Sequence, residues 1–365
     1  MSSERYQRQI ILEGFGAAAQ DRLAKTKVLI IGAGGLGCPA LQYLAATGIG
    51  QIGIIDGDSV ELSNLHRQIL YSVEDIGSLK VDVAARRLKQ LNPETALSLH
   101  ADFINETNVL EILRPYDIIF DGTDNFESRY IINDACVLLN KPLVFAAVSG
   151  FEGQIAIFNV SDEAGTSTNY RDIFPAKPQA GEIPNCVENG VLGISPGIIG
   201  TIAAGEVLKL AAGIGQPLAN KLLHYNLLSQ QHYIINITPS SDYKKLRSEA
   251  EFIKVYGSQQ NLSYQEIDIE TMMNLSKKPE TLVIDVREAH EFPKLNSAIY
   301  RQVPMSQFDE FLSGNVKEEN IILLCQHGVR SIAAAEKLID KYGGMKKIYN
   351  LKGGIAKWKK HFLKG

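Results

Sequence analysis

Cysteine is scarce in this chain. Four occur in 365 residues, at Cys38, Cys136, Cys186 and Cys325, and no two form a Cys-x-x-Cys pair. That spacing argues against a disulfide framework. Positive charge is not in surplus either: the net charge is −4, which leaves no basic excess to attract nucleic acid. No apolar run approaches the ~20 residues that a membrane helix needs. The opening MSSERYQRQI is polar, unlike a secretion leader. The expectation is therefore a reducing, cytoplasmic setting with neither a membrane nor a nucleic acid as partner. What is present is apolar material, 45% of residues, enough to fill the two or three cores that this length suggests.

Apolar runs of strand length recur at 27–32, 52–56, 116–121 and 142–148, with helical patterns such as KVDVAARRLKQL (80–91) between them. Strands alternating with helices predict an α/β fold with a parallel sheet. Further strands are expected in GQIAIFNV, KLLHYNLL and HYIINI, and a helix in GIIGTIAAGEVLKLAAG (197–213). The chain turns polar and charged near residue 240. A second αβ series then follows, in TLVIDVRE, NIILLCQ, SIAAAEKLIDKYGG and KIYNLKGG. The expected division is a domain at 1–240, a linker at 241–261, partly helical, and a smaller domain at 262–365.

The first strand runs into GAGGLG (32–37), in which Gly32, Gly34 and Gly37 make a Gly-x-Gly-x-x-Gly turn before a helix. Such a turn lets the backbone approach a phosphate, and the helix N-terminus supplies free N–H groups. The loop alone says only that a nucleotide binds, and a nicotinamide enzyme begins the same way. DGDSVELSNLHRQ (56–68) decides it, with Lys80 and DGTDNFESR (121–129). All follow the C-terminal ends of predicted strands, where open α/β sheets bind ligands. Hydride transfer needs little cationic charge beyond the pyrophosphate. Attack on the α-phosphate of ATP needs cations on the triphosphate, here Arg67 and Lys80, and a carboxylate for Mg²⁺, here Asp124.

RYQRQIIL, GAGGLG, DGDSVELSNLHRQ, GSLKVDVAA, DGTDNFESRY and CVENGVLG together resemble the ubiquitin-activating, E1-like superfamily, whose bacterial branch is the ThiF-type adenylyltransferases. The resemblance implies a Rossmann-like domain with a mixed sheet, and a homodimer that binds ATP and Mg²⁺. The activity it implies is adenylation of the C-terminal Gly-Gly carboxylate of a small ubiquitin-like sulfur-carrier protein. By motif, Gly34, Gly35 and Gly37 line the phosphates. Asp56 and Asp58 sit at the ribose, Asp58 being the better candidate. Asn64, Arg67, Gln68, Lys80 and Asn125 surround the nucleotide, Asp124 holds the metal, and Arg8 reaches the partner subunit's nucleotide. Cys186 matches a crossover-loop cysteine that carries the acyl group in some members and is dispensable in others; a catalytic role is expected here. The family usually also carries a structural zinc on two Cys-x-x-Cys pairs. This chain has Asn169 and Asp172 at the first pair of positions, and Ser241 and Lys244 near the second, so no zinc is expected. Cys38 and Cys136, in apolar helical stretches, are expected in the core.

Cys325 ends an apolar strand and opens CQHGVRS before a helix, a loop whose N–H groups and helix N-terminus favour a thiolate. With LVIDVREAHEF and LKGGIAKW this half resembles a rhodanese domain. The six-residue span from Cys325 to Arg330 is the sulfur-accepting length, with Arg330 stabilising the persulfide charge and Asp285 and Arg287 anchoring the loop. The family's GHIPGA segment is replaced by FPKLNSAIYRQVPMS. The combined expectation is adenylation of the carrier, then sulfur transfer from a Cys325 persulfide, with a donor such as a cysteine desulfurase. The alternatives are adenylation with a rhodanese module that only docks the carrier, and an NAD-dependent oxidoreductase.

Overall fold

β1 (Lys27–Ile31) is one exposed lysine followed by four buried aliphatic residues, as a strand covered on both faces requires. Val28 and Ile30 pack to one side; Leu29 and Ile31 pack to the other. In the computed structural model, which describes residues 3–162, 165–178, 190–256, 264–326 and 328–362, the chain divides after Tyr256 into two units.

In the first unit β1, β2 (Gln51–Ile55), β3 (Ala96–His100), β4 (Ile118–Asp121) and β5 (Leu143–Ser149) run parallel in the order β3-β2-β1-β4-β5. The order reverses between β1 and β4, the point at which such sheets leave a crevice. β6 (Glu152–Phe158), β7 (Lys221–Asn226) and β8 (Gln231–Asn236) extend the sheet antiparallel. Among the described residues its α-helices are α1 (Ser3–Ile10), α2 (Gly16–Lys25), α3 (Gly37–Thr47), α4 (Lys80–Leu91), α5 (Val109–Leu113), α6 (Phe126–Leu139), α7 (Ile194–Ala212) and α8 (Glu249–Tyr256). α4 buries Val81, Ala84 and Leu88, the spacing of one helical face. α3 and α7 cover one side of the sheet, α6 the other.

Two expectations change here. α7 is long and apolar enough, by length and composition, to span a membrane, contrary to the reading that no run approaches that size. In the fold it packs on α3 and the sheet, with Ile199, Ala203 and Val207 in the core. The stretch read as a linker contributes α8 to the first unit. Phe252 is fully buried there, and the Tyr256 hydroxyl donates to Asp134 at 2.6 Å.

The second unit is a parallel sheet of β9 (Tyr264–Ile267), β10 (Thr281–Asp285), β11 (Tyr300–Gln302), β12 (Asn320–Leu324) and β13 (Lys347–Leu351), in the order β11-β10-β12-β13-β9. β12 lies at the centre with all five residues buried, so Cys325 emerges from the best-packed strand. Its described α-helices are α9 (Ile269–Leu275), α10 (Phe308–Ser313), α11 (Val329–Tyr342), α12 (Gly354–Lys357) and α13 (Lys359–Phe362).

Candidate active sites

The glycine loop is built by close approach. A Cβ on Gly37 would lie 1.9 Å from the Gly32 carbonyl oxygen, so only glycine fits where α3 begins. Gly32 N–H donates to Ile55 O and Gly122 N–H to Ile31 O, both at 2.9 Å, which draws the ends of β1, β2 and β4 together. Asp56 is nearly buried and braces this junction. Its carboxylate accepts the Ala33 and Asp58 N–H groups, each at 2.8 Å. Burial pushes its carboxyl up, opposed by Lys80.

Lys80 opens α4 with its side chain only 5% exposed, and its Nζ donates to Asp58 Oδ2 at 2.8 Å. Asp58 faces solvent, its side chain 55% exposed. Gln68 is buried, with its Nε2 3.6 Å from where a Gly34 Cβ would sit, and its Oε1 has no hydrogen-bond partner among the described residues. Arg67 Cγ lies 3.6 Å from the Cβ position of Gly35, and Pro196 of α7 closes the same glycine at 3.1 Å. Arg67 Nη1 donates to Ser63 O at 3.0 Å and to His66 Nε2 at 2.8 Å. Asn64 is buried at the turn that carries Arg67, whose N–H bonds the Asn64 carbonyl at 3.0 Å. The structure thus gathers Gly34, Gly35, Asn64, Arg67 and Gln68 around one loop, beside a buried ammonium.

After β4, buried Asp121 accepts the Thr123 N–H and hydroxyl at 2.9 and 2.6 Å, and Arg129 Nη2 donates to Thr123 O at 2.9 Å. This tight turn presents Asp124 to solvent. Asn125 Oδ1 accepts the Ser128 N–H at 2.8 Å and caps α6. Arg8 is exposed on α1. Cys38 and Cys136 are buried, and burial pushes the Cys38 thiol up to about 12 and the Cys136 thiol up as well. Cys186 lies outside the described residues.

Asn169 and Asp172, at the first pair of zinc-cysteine positions, form a hydrogen-bonded clamp with Ser240 and Tyr243, which lie next to the second pair. Asp172 Oδ2 accepts from the Asn169 N–H and Nδ2 at 2.7 and 3.0 Å. Its Oδ1 accepts from the Ser240 N–H at 2.7 Å and the Tyr243 hydroxyl at 3.2 Å. Tyr243 also bonds Asn169. The lone carboxylate is saturated by protein donors, and neither thiolate nor imidazole stands among these residues, so the set does not fit a tetrahedral zinc.

In the second unit Cys325 is 1% exposed. Its Sγ accepts the Gly328 N–H at 3.1 Å and the Ser331 hydroxyl at 3.4 Å. α12 locks the loop from below: Ile355 and Ala356 N–H groups bond the Cys325 and Gln326 carbonyls at 2.9 and 2.8 Å. A Cβ on Gly354 would strike the Cys325 carbonyl oxygen at 2.4 Å. Arg287 is fully buried and forked onto Asp285 at 2.8 to 3.2 Å, with its Nη1 reaching Gln326 of the loop at 3.5 Å. This is the anchoring ion pair that the sequence suggested. Arg330 has a partner that the sequence did not name: its guanidinium is forked onto Glu291 at 2.5 and 2.8 Å. Sequence reading missed Glu291, since nothing local links two residues 39 positions apart.

Residues 6–246 match the model of the ThiF family, and residues 268–361 that of the rhodanese-like domain. The probable adenylyltransferase/sulfurtransferase MoeZ of Mycobacterium tuberculosis is 35% identical over 98% of this chain and 92% of its own. The adenylyltransferase and sulfurtransferase MOCS3 of Arabidopsis thaliana is 35% identical over 97% and 82%. The sulfur carrier protein adenylyltransferase of Thermus thermophilus is 48% identical over 62% of this chain and 83% of its own. Among solved structures, E. coli MccB with ATP matches 66% of this chain and 73% of that one, at TM-score 0.55 and 25% identity. The chain belongs to the ThiF family and continues into a rhodanese-like domain, the arrangement of its adenylyltransferase/sulfurtransferase relatives.

Proposed function

We propose that the first unit binds ATP with Mg²⁺ and adenylates the C-terminal Gly-Gly carboxylate of a small ubiquitin-like sulfur-carrier protein, and that Cys325 then supplies sulfur. The observation that carries the first half is Lys80, an ammonium already desolvated beside the glycine loop and held by an Asp58 that itself faces solvent. A phosphate arriving there meets a cation whose burial has been compensated. The unpartnered Oε1 of Gln68 offers an acceptor over the same loop. ATP would lie over Gly34, Gly35 and Gly37 with its ribose at Asp58. Arg67, Lys80, Asn64 and Gln68 would attend its phosphates, and Asp124 would hold Mg²⁺. Asn125 keeps its capping bond and Asp56 its bracing bonds.

The carrier's carboxylate oxygen attacks the α-phosphorus and pyrophosphate leaves. Arg67 and Lys80 offset the mutual repulsion of the two anions. The outer sulfur of a Cys325 persulfide then attacks the acyl carbon and AMP leaves, which gives an acyl disulfide. A second thiol, for which Cys186 is the candidate, attacks the Cys325 sulfur and releases the thiocarboxylate. The resulting disulfide is reduced by a cellular dithiol. A cysteine desulfurase suits the donor role, and a cytoplasmic setting keeps these thiols reduced. Exposed Ile11, Leu12, Leu62, Ile69 and Val73 support a homodimer, in which Arg8 would serve the partner's nucleotide. The saturated Asp172 clamp supports a fold without structural zinc.

ATP–pyrophosphate exchange tests the first half. Exchange should require both Mg²⁺ and a carrier ending in Gly-Gly. Exchange without the carrier, or reduction of a nicotinamide in its place, would overturn the reading.

A further inference from the structure

Arg330 closes the six-residue loop that begins at Cys325 and is the one arginine in it. Its Nη1 and Nη2 donate to Oε1 and Oε2 of Glu291 at 2.5 and 2.8 Å, and the two side chains are 24% and 19% exposed. Glu291 is itself fixed. Its Oε1 also accepts the Glu288 N–H at 2.8 Å, and its own N–H donates to Glu288 O at 3.0 Å. The Arg330 guanidinium holds the Glu291 carboxyl below the usual range, so the pair is ionised at neutral pH. Arg287, the neighbouring cation, is committed to Asp285 and to Pro293 O. Among the described residues the loop offers the sulfur two neutral donors, the Gly328 N–H and the Ser331 hydroxyl, while the guanidinium of Arg330 is ion-paired with Glu291.

We propose that Glu291 determines the class of sulfur donor: by neutralising Arg330 it disfavours small dianionic donors such as thiosulfate, and Cys325 takes its sulfur from a persulfide on a partner protein's cysteine. This rests on the sulfur-transfer reading above. The charge count gives the reason. Thiosulfate brings two negative charges to a thiolate, and sulfite, still a dianion, must then leave from the same loop. In the other route the Cys325 thiolate attacks the outer sulfur of R–S–SH, the donor's S–S bond breaks with its electron pair leaving on the inner sulfur, and Cys325–S–SH and R–S⁻ form. The displaced thiolate remains on the partner, outside the loop. Only the first route needs an uncancelled guanidinium.

The test uses the full chain. Sulfite release from thiosulfate is measured with a dithiol acceptor, alongside Cys325 loading from a short neutral alkyl hydropersulfide. Glu291→Gln should lower the KM for thiosulfate roughly tenfold, with kcat changed by less than about threefold. Hydropersulfide loading should not change. Glu291→Asp, which keeps the charge, should retain the wild-type KM, and adding Arg330→Gln to Glu291→Gln should abolish the gain. An unchanged or higher thiosulfate KM in Glu291→Gln, in a protein that still loads from hydropersulfide, overturns the inference. So does a Glu291→Asp variant that behaves as Glu291→Gln. Failure of the wild-type chain to load from either donor overturns the sulfur-transfer reading itself, and the inference with it.

Discussion

The two reactive ends are built in opposite ways. At the glycine loop the chemistry-bearing groups are open or incomplete: Asp58 and Asp124 face solvent, and Gln68 Oε1 lacks a partner. At the sulfur loop the described groups are already engaged: Cys325 is buried, its sulfur accepts from Gly328 and Ser331, and Arg330 is paired with a carboxylate. The first arrangement suits a ligand that brings its own charges and its own metal. The second suits a single atom of sulfur carried covalently, where the protein must supply every contact. An enzyme that joins adenylation to sulfur transfer needs both kinds.

Substitutions can separate the two ends. Asp124→Ala should lower carrier-dependent pyrophosphate exchange by roughly 10²–10³-fold while Cys325 still loads from a hydropersulfide; parallel exchange and loading assays check this. Lys80→Met should raise the KM for ATP roughly tenfold or more. It should leave the melting temperature almost unchanged, because the carboxylate it abandons, Asp58, is solvated. Asp172→Asn should cost about 1–3 kcal/mol in denaturant unfolding, since an amide cannot accept four hydrogen bonds in the same geometry. A chelator should shift the unfolding of neither form. Asn125→Ala should cost about 1 kcal/mol through the lost cap of α6, with exchange largely retained.

Local pattern made much of the fold legible. β1, the glycine turn and α4 follow from apolar runs, three glycines and one helical stripe. β3, β9 and β11 escaped because they are edge strands with few buried positions, so neither alternation nor an apolar run marks them. The helical part of the polar stretch after residue 240 belongs to the first core through Phe252 and the Tyr256–Asp134 bond, a tertiary contact 122 positions long that composition cannot reveal. At the sites, Asp285–Arg287 was legible because the partners lie two residues apart. Glu291–Arg330 was not, because its partners are brought together only by the sheet. The Asp172 clamp was half legible: the missing cysteines are plain in the sequence, but that Ser240 and Tyr243 bond Asp172 in their stead is not.

The most direct test of the account is the mass of the carrier's C-terminus after incubation with ATP, Mg²⁺, a persulfide donor and either wild-type or Cys325→Ser protein. An oxygen-to-sulfur exchange is expected with the wild type. With the variant none is expected, while pyrophosphate exchange runs at the wild-type rate. Thiocarboxylate formed by the variant at the wild-type rate would contradict this.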